Sequence, residues 1–333
     1  MVYDCFGFYN ELDLLEIRLN VLKDVVDKFV LVEATETHTG KPKPLYYKEN
    51  SERFAAFKDK IVHVVVDDFP EPPADYTERQ ASWMRENFQR NAIVKGLVGA
   101  HDDDLIMVSD ADEIPSPEAV RAASGKRGVI ACEQLLCNYY LNFVSYTTPI
   151  WLGTKIVRYG AFLSPKTYAK MGELIYVDER VNAGPSATRL RYLEPDSRIC
   201  KAGWHFSYLG DAKSIVSKIG AIAVEYRNEN NTREKWVANA IAQGLDVCGC
   251  GRRFFAIPLG ARFPKWLRDN REKFSNLIVY PDAGYYRRTR KDRFLCLARG
   301  WVRRNGARLI PKRFKQFLYD KVYCKVVKDP IVI

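Results

Sequence analysis

The sequence predicts an α/β fold built on a mostly parallel central sheet with crossover helices. Three observations carry that expectation. Over the first 130 residues, short apolar runs of strand length alternate with stretches of helical periodicity, and the connections between them are too long for hairpins. The run Leu105–Val108 is apolar throughout, which suits a strand covered on both faces of a parallel sheet. It ends abruptly in Asp110, Asp112 and Glu113, so acids stand at a strand's carboxyl end, where open α/β sheets bind ligands.

Taken in order, Val2–Phe8 is apolar enough for a strand, and Asn10 with Asp13 offers a helix start. Leu14, Leu15, Ile17, Leu19 and Leu22 then recur at helical spacing. Phe29–Val32 reads as a second strand and Ile61–Val66 as a third. Between Thr77 and Leu97 a helix is expected, with Ala81, Met84, Phe88 and Ala92 on one face and Arg85, Gln89 and Arg90 away from it. After Gly128 the pattern turns strand-like and aromatic, over Val129–Phe143, Trp151–Tyr159 and Gly203–Tyr208. Asp211–Arg227 reads as a helix carrying Glu225 toward its end.

In an extended chain Asp110 and Asp112 project to one side, with the small Ala111 between them. Two like charges at a buried strand end are tolerable only with a cation or strong donors between them, and a divalent metal is the simplest answer. The bland alternative is a solvated acidic turn. Neither a GxGxxG fingerprint nor a GxxxxGK[ST] loop is present, so phosphate binding falls to the metal. The loop from Glu33 to Gly40 is rich in polar side chains able to hold a sugar or base. His205, one of four histidines, is balanced between a core role and a metal ligand. The aromatic stretches, with Tyr139, Tyr140 and Phe143, are core residues first and a sugar-binding wall second.

Charge divides the chain. Fifteen Lys or Arg against two Asp lie between Tyr285 and Lys328, whereas the whole chain carries a net +11, so the body is close to neutral. We therefore read residues 1–284 as one catalytic domain and residues 285–333 as a basic, aromatic-containing tail. The tail's mixture of cations with Phe, Trp and Leu suits an anionic membrane surface. Nucleic-acid binding and docking on the body are the lesser readings. The start has no signal-like pattern and no apolar run spans a bilayer, which leads to the expectation of a cytoplasmic or peripheral protein. Eight scattered cysteines are expected to be free thiols, and the isolated Cys248-Gly-Cys250 pair is weak evidence for zinc.

Several motifs in order, DCFGFYNELDLLEIRLNVLKDVVDKFVLVEATETHTGKPKPL, WMRENFQRNAIVKGL, DDDLIMVSDADEIP, GWHFSY and FPKWLRDNREKF, resemble glycosyltransferase family 17. The resemblance runs from Val2 to about Tyr280 and leaves the tail unmatched. It implies a GT-A type fold, a DxD motif formed by Asp110 and Asp112, a Mn²⁺ or Mg²⁺ cofactor, and inverting transfer, with UDP-GlcNAc as donor. It further implies His205, in the GWH segment, as a third ligand, and Arg85 and Arg90 as contacts to the donor. Glu225 is the first choice of general base, with Glu113, Asp178 and Glu179 as rivals. The acceptor is expected to be a glycan or lipid-linked saccharide. A metal-dependent phosphohydrolase is disfavoured by the lack of a second His/Asp cluster, and a binding module without turnover is the third reading.

Overall fold

The computed structural model describes residues 1–168, 185–224 and 227–280. In chain order the elements are β1 (Val2–Phe8), α1 (Leu12–Leu22), β2 (Lys28–Ala34), α2 (Tyr46–Glu49), β3 (Ile61–Val66), α3 (Glu78–Asn91), β4 (Leu105–Asp110), β5 (Glu113–Pro115) and α4 (Pro117–Ala123). There follow β6 (Ile130–Asn138), β7 (Phe143–Ser145), β8 (Ile150–Arg158), α5 (Tyr159–Leu163), α6 (Pro165–Tyr168), α7 (Ala187–Tyr192), β9 (Ser197–Ile199) and β10 (Gly203–Ser207). The last are α8 (Ala212–Ala221), α9 (Glu234–Ala242), β11 (Phe254–Ala256) and α10 (Lys265–Asp269).

All the strands of the described residues join one mixed sheet in the order β11-β7-β6-β8-β4-β1-β2-β3, with β10 pairing β5 and β6, and β9 pairing β6. Its N-terminal half, β4-β1-β2-β3, is parallel throughout, as the alternation of strands and helices predicts. Beyond β4 the sheet continues through antiparallel pairs with β8, β6, β7 and β11.

Side-chain alternation explains why the parallel strands are apolar throughout. Phe6 and Phe8 of β1, Leu31 of β2 and Met107 of β4 point into one core with Leu14, Leu15 and Leu22 of α1. Cys5, Val30, Val32 and Val108 point into a second core on the other face, with Ile93, Phe162 and Leu190. Both faces exclude water, so neither register position tolerates a polar residue without a partner. A third cluster packs Ile215 and Ile219 of α8 and Val237 of α9 beneath Tyr139, Phe143 and Phe254. The aromatics Tyr139 and Phe143 are thus core, each fully buried.

Several boundaries differ from the sequence reading. The cap of α1 falls at Glu11 rather than Asn10. The helix begun at Thr77 is closed by a capping box with Gln80 and stops at Asn91, before a short 3-10 segment. Gln89 turns inward, because its amide nitrogen donates to the Val32 carbonyl at 3.0 Å. The helix begun at Asp211 ends at Ala221, short of Glu225. Glu225 itself, Asp178, Glu179 and the tail 285–333 lie outside the described residues. The described cysteines, Cys5, Cys132, Cys137, Cys200, Cys248 and Cys250, are free thiols.

Candidate active site

A cleft of about 520 Å³ opens at the carboxyl ends of β1, β2 and β4, within the roughly 300–1,000 Å³ range of small-molecule sites. Gly7–Tyr9, Glu36–His38 and Asp110–Asp112, the residues at or just past those three strand ends, all line it. Helices α3, α7 and α8, with β8 and β10, supply most of the remaining walls.

The acids sit in a tight turn between β4 and β5. The return strand β5 pairs antiparallel with β10, in a register that sets His205 opposite Glu113. The Phe206 amide donates to the Asp112 carbonyl at 2.8 Å. Gly203 makes this approach possible. Its φ is +139°, and a Cβ there would lie 2.1 Å from the Ile114 carbonyl oxygen, well inside any tolerable contact.

Charge in the cleft is organised into two groups. Asp110 lies between two guanidinium groups, 2.9 Å from Arg90 and 3.2 Å from Arg191. Arg90 also pairs with Glu86 at 2.7 Å. Arg191, on α7, grips the fully buried Glu113 with both nitrogens, at 2.7 and 2.8 Å. Burial alone would raise the Asp110 pKa, but Arg191 and then Arg90 outweigh it and hold the carboxyl well below the usual carboxylate range.

In the second group Lys218 of α8 lies 2.7 Å from Glu11 and 3.4 Å from Asp112 Oδ2. His205 Nε2 stands 3.4 Å from Asp112 Oδ1. Burial opposes ionisation of Asp112, yet Lys218 and then His205 outweigh it and lower its pKa. For Lys218 the balance runs the other way: burial works against the charge, and Glu11 followed by Asp112 overcomes it, so the ammonium is kept.

Contacts of 3.4 Å are long for charge-assisted hydrogen bonds, which close to about 2.7–2.9 Å. Neighbouring ligands on an octahedral ion with bonds of about 2.1 Å stand roughly 3 Å apart. Asp112 and His205 therefore fit as two donors to one cation. No group of three His, Cys, Asp or Glu able to hold a metal is found among the described residues. A two-donor site suits an ion that keeps its waters and takes substrate phosphates as its other ligands. An imidazole among the donors favours Mn²⁺ over Mg²⁺.

The structure brings together Asp110, Asp112, His205 and Arg90, and corrects other expectations. Asp110, expected as a metal ligand, is committed to two arginines instead. Glu113, a candidate base, lies behind the cleft with its carboxylate occupied by Arg191, the Trp151 indole at 2.6 Å and the Asp110 amide at 3.2 Å. Glu33, expected to contact the donor, is fully buried and accepts from the Tyr47 amide at 2.9 Å and from His63 at 3.1 Å. It is not among the residues that line the cleft. Arg85 rests on the Gly40 turn, 3.8 Å from Glu36, and does not line the cleft. Phosphate binding need not fall to a metal alone, since Arg90, Arg191 and Lys218 all line it.

Sequence reasoning missed Arg191 and Lys218. Arg191 stands two residues after Arg189, in a stretch with no motif. Lys218 shares α8 with Lys213, and only the fold says which of the two turns inward. His38 was also passed over. It bonds Gln89 through Nε2 at 3.0 Å and accepts the Ala223 amide at Nδ1 at 3.3 Å, closing the wall between β2 and α8.

Known proteins resemble the same region. The model of glycosyltransferase family 17 matches residues 1–148, a stretch that holds Arg90, Asp110 and Asp112 but ends before Arg191, His205 and Lys218. The β-1,4-mannosyl-glycoprotein 4-β-N-acetylglucosaminyltransferases of Rattus norvegicus and Homo sapiens are each 34% identical over 125 residues. The Mus musculus protein of the same name is 33% identical over 125 residues. Those matches cover 36% of this chain and span only 22% of the length of the relatives. Among solved structures, the mannosyltransferase PcManGT from Pyrobaculum calidifontis, in complex with GDP-Man and Mn²⁺, aligns over 98% of this chain and 86% of its own. Its TM-score is 0.33 at 10% identity, too weak a likeness to speak for the cleft.

Proposed function

We propose that this chain, whose first 148 residues match the glycosyltransferase family 17 model, is a GT-A type inverting glycosyltransferase with a divalent cation as cofactor. The sugar is GlcNAc from UDP-GlcNAc, and the acceptor is a hydroxyl of a glycan or lipid-linked saccharide. The relatives' names, N-acetylglucosaminyltransferases, support the choice of sugar. The observation that carries the reading is the meeting, at three parallel strand ends, of the Asp112–His205 pair with Arg90 and Arg191 around Asp110.

Asp112 and His205 would hold the cation, which when bound neutralises charge on the departing diphosphate. The rest is done by the chain's own side chains. Arg90 and Arg191 are held in place by Glu86, Asp110 and Glu113, so a diphosphate arriving beside them meets donors that need no reorganisation. Arg suits this task because its planar fork matches phosphate oxygens. Lys218 of α8 adds a third positive charge, held by Glu11. Trp151 and Tyr192 also face the cleft and give a sugar ring apolar surface to lie against. Glu225, two residues after the cleft residue Ala223, is the proposed base that takes the acceptor proton on the face opposite the leaving group.

Residues 285–333 are proposed to hold the enzyme on an anionic, cytoplasmic-side membrane surface through their many cations, next to lipid-linked acceptors. No helix among the described residues is long and apolar enough to cross a membrane. The catalytic reading is tested by calorimetry of UDP-GlcNAc with and without Mn²⁺, on wild type and on the Asp110→Ala/Asp112→Ala protein. Metal-dependent binding by the wild type alone is expected. A wild type that binds no nucleotide-sugar with any divalent metal would sink the proposal.

A further inference from the structure

Beneath the acidic turn, on the side away from the cleft, lies Arg18 of α1. It is fully buried, and every nitrogen of its guanidinium is engaged. Nε and Nη2 donate to the two Asp4 oxygens at 2.7 and 2.6 Å, and Nη2 also donates to Ser109 Oγ at 2.5 Å. Nη1 is aimed at the backbone of the turn. It donates to the carbonyls of Asp110 at 3.1 Å, Ala111 at 3.2 Å and Glu113 at 2.9 Å. The fourth carbonyl of the turn, that of Asp112, accepts from Phe206, next to His205.

Each carbonyl from residue 110 to 113 therefore accepts a hydrogen bond, and three of the four accept from one side chain. Turning the carbonyls inward leaves the Asp110 and Asp112 carboxylates on the opposite side, in the cleft. Asp4 on β1 fixes the guanidinium, and the Phe6 ring lies 4.3 Å from Cζ. A planar fork with fixed donors is the one side chain able to serve Asp4 and the turn together; a lysine offers a point charge with no such geometry.

We propose that Arg18 is a positioning residue for the cation and nucleotide site. It sets the backbone of the acidic turn so that Asp112 meets His205 and Asp110 meets its two arginines. The proposal rests on the functional reading above, in that it assigns Arg18 a part in ligand binding and not in stability alone. Sites of this kind lose function when their ligands shift by a fraction of an ångström, well before the fold is lost.

The experiment measures, by calorimetry on the full chain well below the melting temperature, the affinity for UDP in Mn²⁺ and for Mn²⁺ alone. Arg18→Lys is compared with Leu19→Ala, a fully buried core truncation on the same helix that serves as a control for lost stability. Arg18→Lys is expected to weaken Mn²⁺-dependent UDP binding at least about tenfold, while Leu19→Ala, at an equal or larger drop in Tm, stays within about twofold of wild type. Asp4→Asn, which reaches the cleft only through Arg18, is expected to fall between them, and it replaces Arg18→Lys as the deciding variant if that protein does not fold. Wild-type affinity in both Arg18→Lys and Asp4→Asn, or a loss no greater than in Leu19→Ala, overturns the inference while leaving the functional reading standing. A wild type that is blind to UDP with Mn²⁺ removes both.

Discussion

His205 Nε2 and Asp112 Oδ1 stand 3.4 Å apart, one on the parallel partner of β6 and the other in the turn that follows β4. Their meeting is produced by the short β5–β10 pairing, in which His205 stands opposite Glu113. The chemistry of the site hangs on that pairing, and the predictions begin from it.

Asp112→Ala and His205→Ala should each abolish Mn²⁺-dependent nucleotide binding and lower transfer by about 10²–10³-fold, the usual cost of removing one electrostatic stabiliser. The fold should survive, since Lys218 keeps Glu11 as a partner. Isothermal titration with UDP, read beside a thermal melt, checks both halves. Unchanged metal-dependent affinity in either variant would remove that residue from the site.

Gly203→Ala should be disabling although residue 203 does not line the cleft. The φ of +139° disfavours any side chain, and the new Cβ would force β10 away from the Ile114 carbonyl. A destabilisation of about 1–3 kcal/mol is expected from the backbone strain alone, with loss of Mn²⁺ affinity as His205 moves. Urea unfolding and a metal titration on the same sample measure the two effects.

Arg191→Met strands Glu113, a fully buried carboxylate, without its bidentate partner. Breaking such a pair costs about 3–5 kcal/mol. Arg90→Met leaves no fully buried carboxylate behind, because Asp110 keeps Arg191 and Glu86 is not fully buried. Denaturant unfolding should therefore rank Arg191→Met well below Arg90→Met in stability, while UDP affinity falls in both.

His38 ties the loop after β2 to the end of α8, and burial, only partly offset by Glu86 and Gln89, lowers its pKa below 6.5. Below that value the unfolded chain takes up a proton that the fold resists, so stability falls as pH drops from 6.5 toward the folded pKa. His38→Gln should flatten that part of the pH–stability curve relative to wild type. Parallel curves for the two proteins between pH 5 and 7 would remove His38 as the source.

How much of this was legible in the sequence follows from the range of each interaction. The parallel strands were readable because burial on both faces demands an unbroken apolar run, as in Leu105–Val108, whose side chains divide between two cores. Asp110 and Asp112 were readable as cleft residues because acids ending such a run stand at a strand's carboxyl end, where open α/β sheets bind ligands. Glu33 and Glu113 were misplaced for the same reason in reverse. Each sits beside a strand end, but one residue's shift along a pleat or turn decides whether a carboxylate meets the cleft or the core. No local pattern separates the two outcomes.

By itself, then, the sequence determined the α/β class, the parallel half of the sheet and the pair of acids at its edge, because these depend on hydrophobic periodicity and on neighbours in the chain. Tertiary structure alone decided that Arg191 and Lys218 answer those acids. Both come from elements far along the chain, and the partner of each is set by how its helix is placed and rotated, which local composition does not encode. Arg18 shows the division most plainly. In the sequence it interrupts the apolar face of a helix; in the fold it holds three carbonyls of the turn on which the site is built.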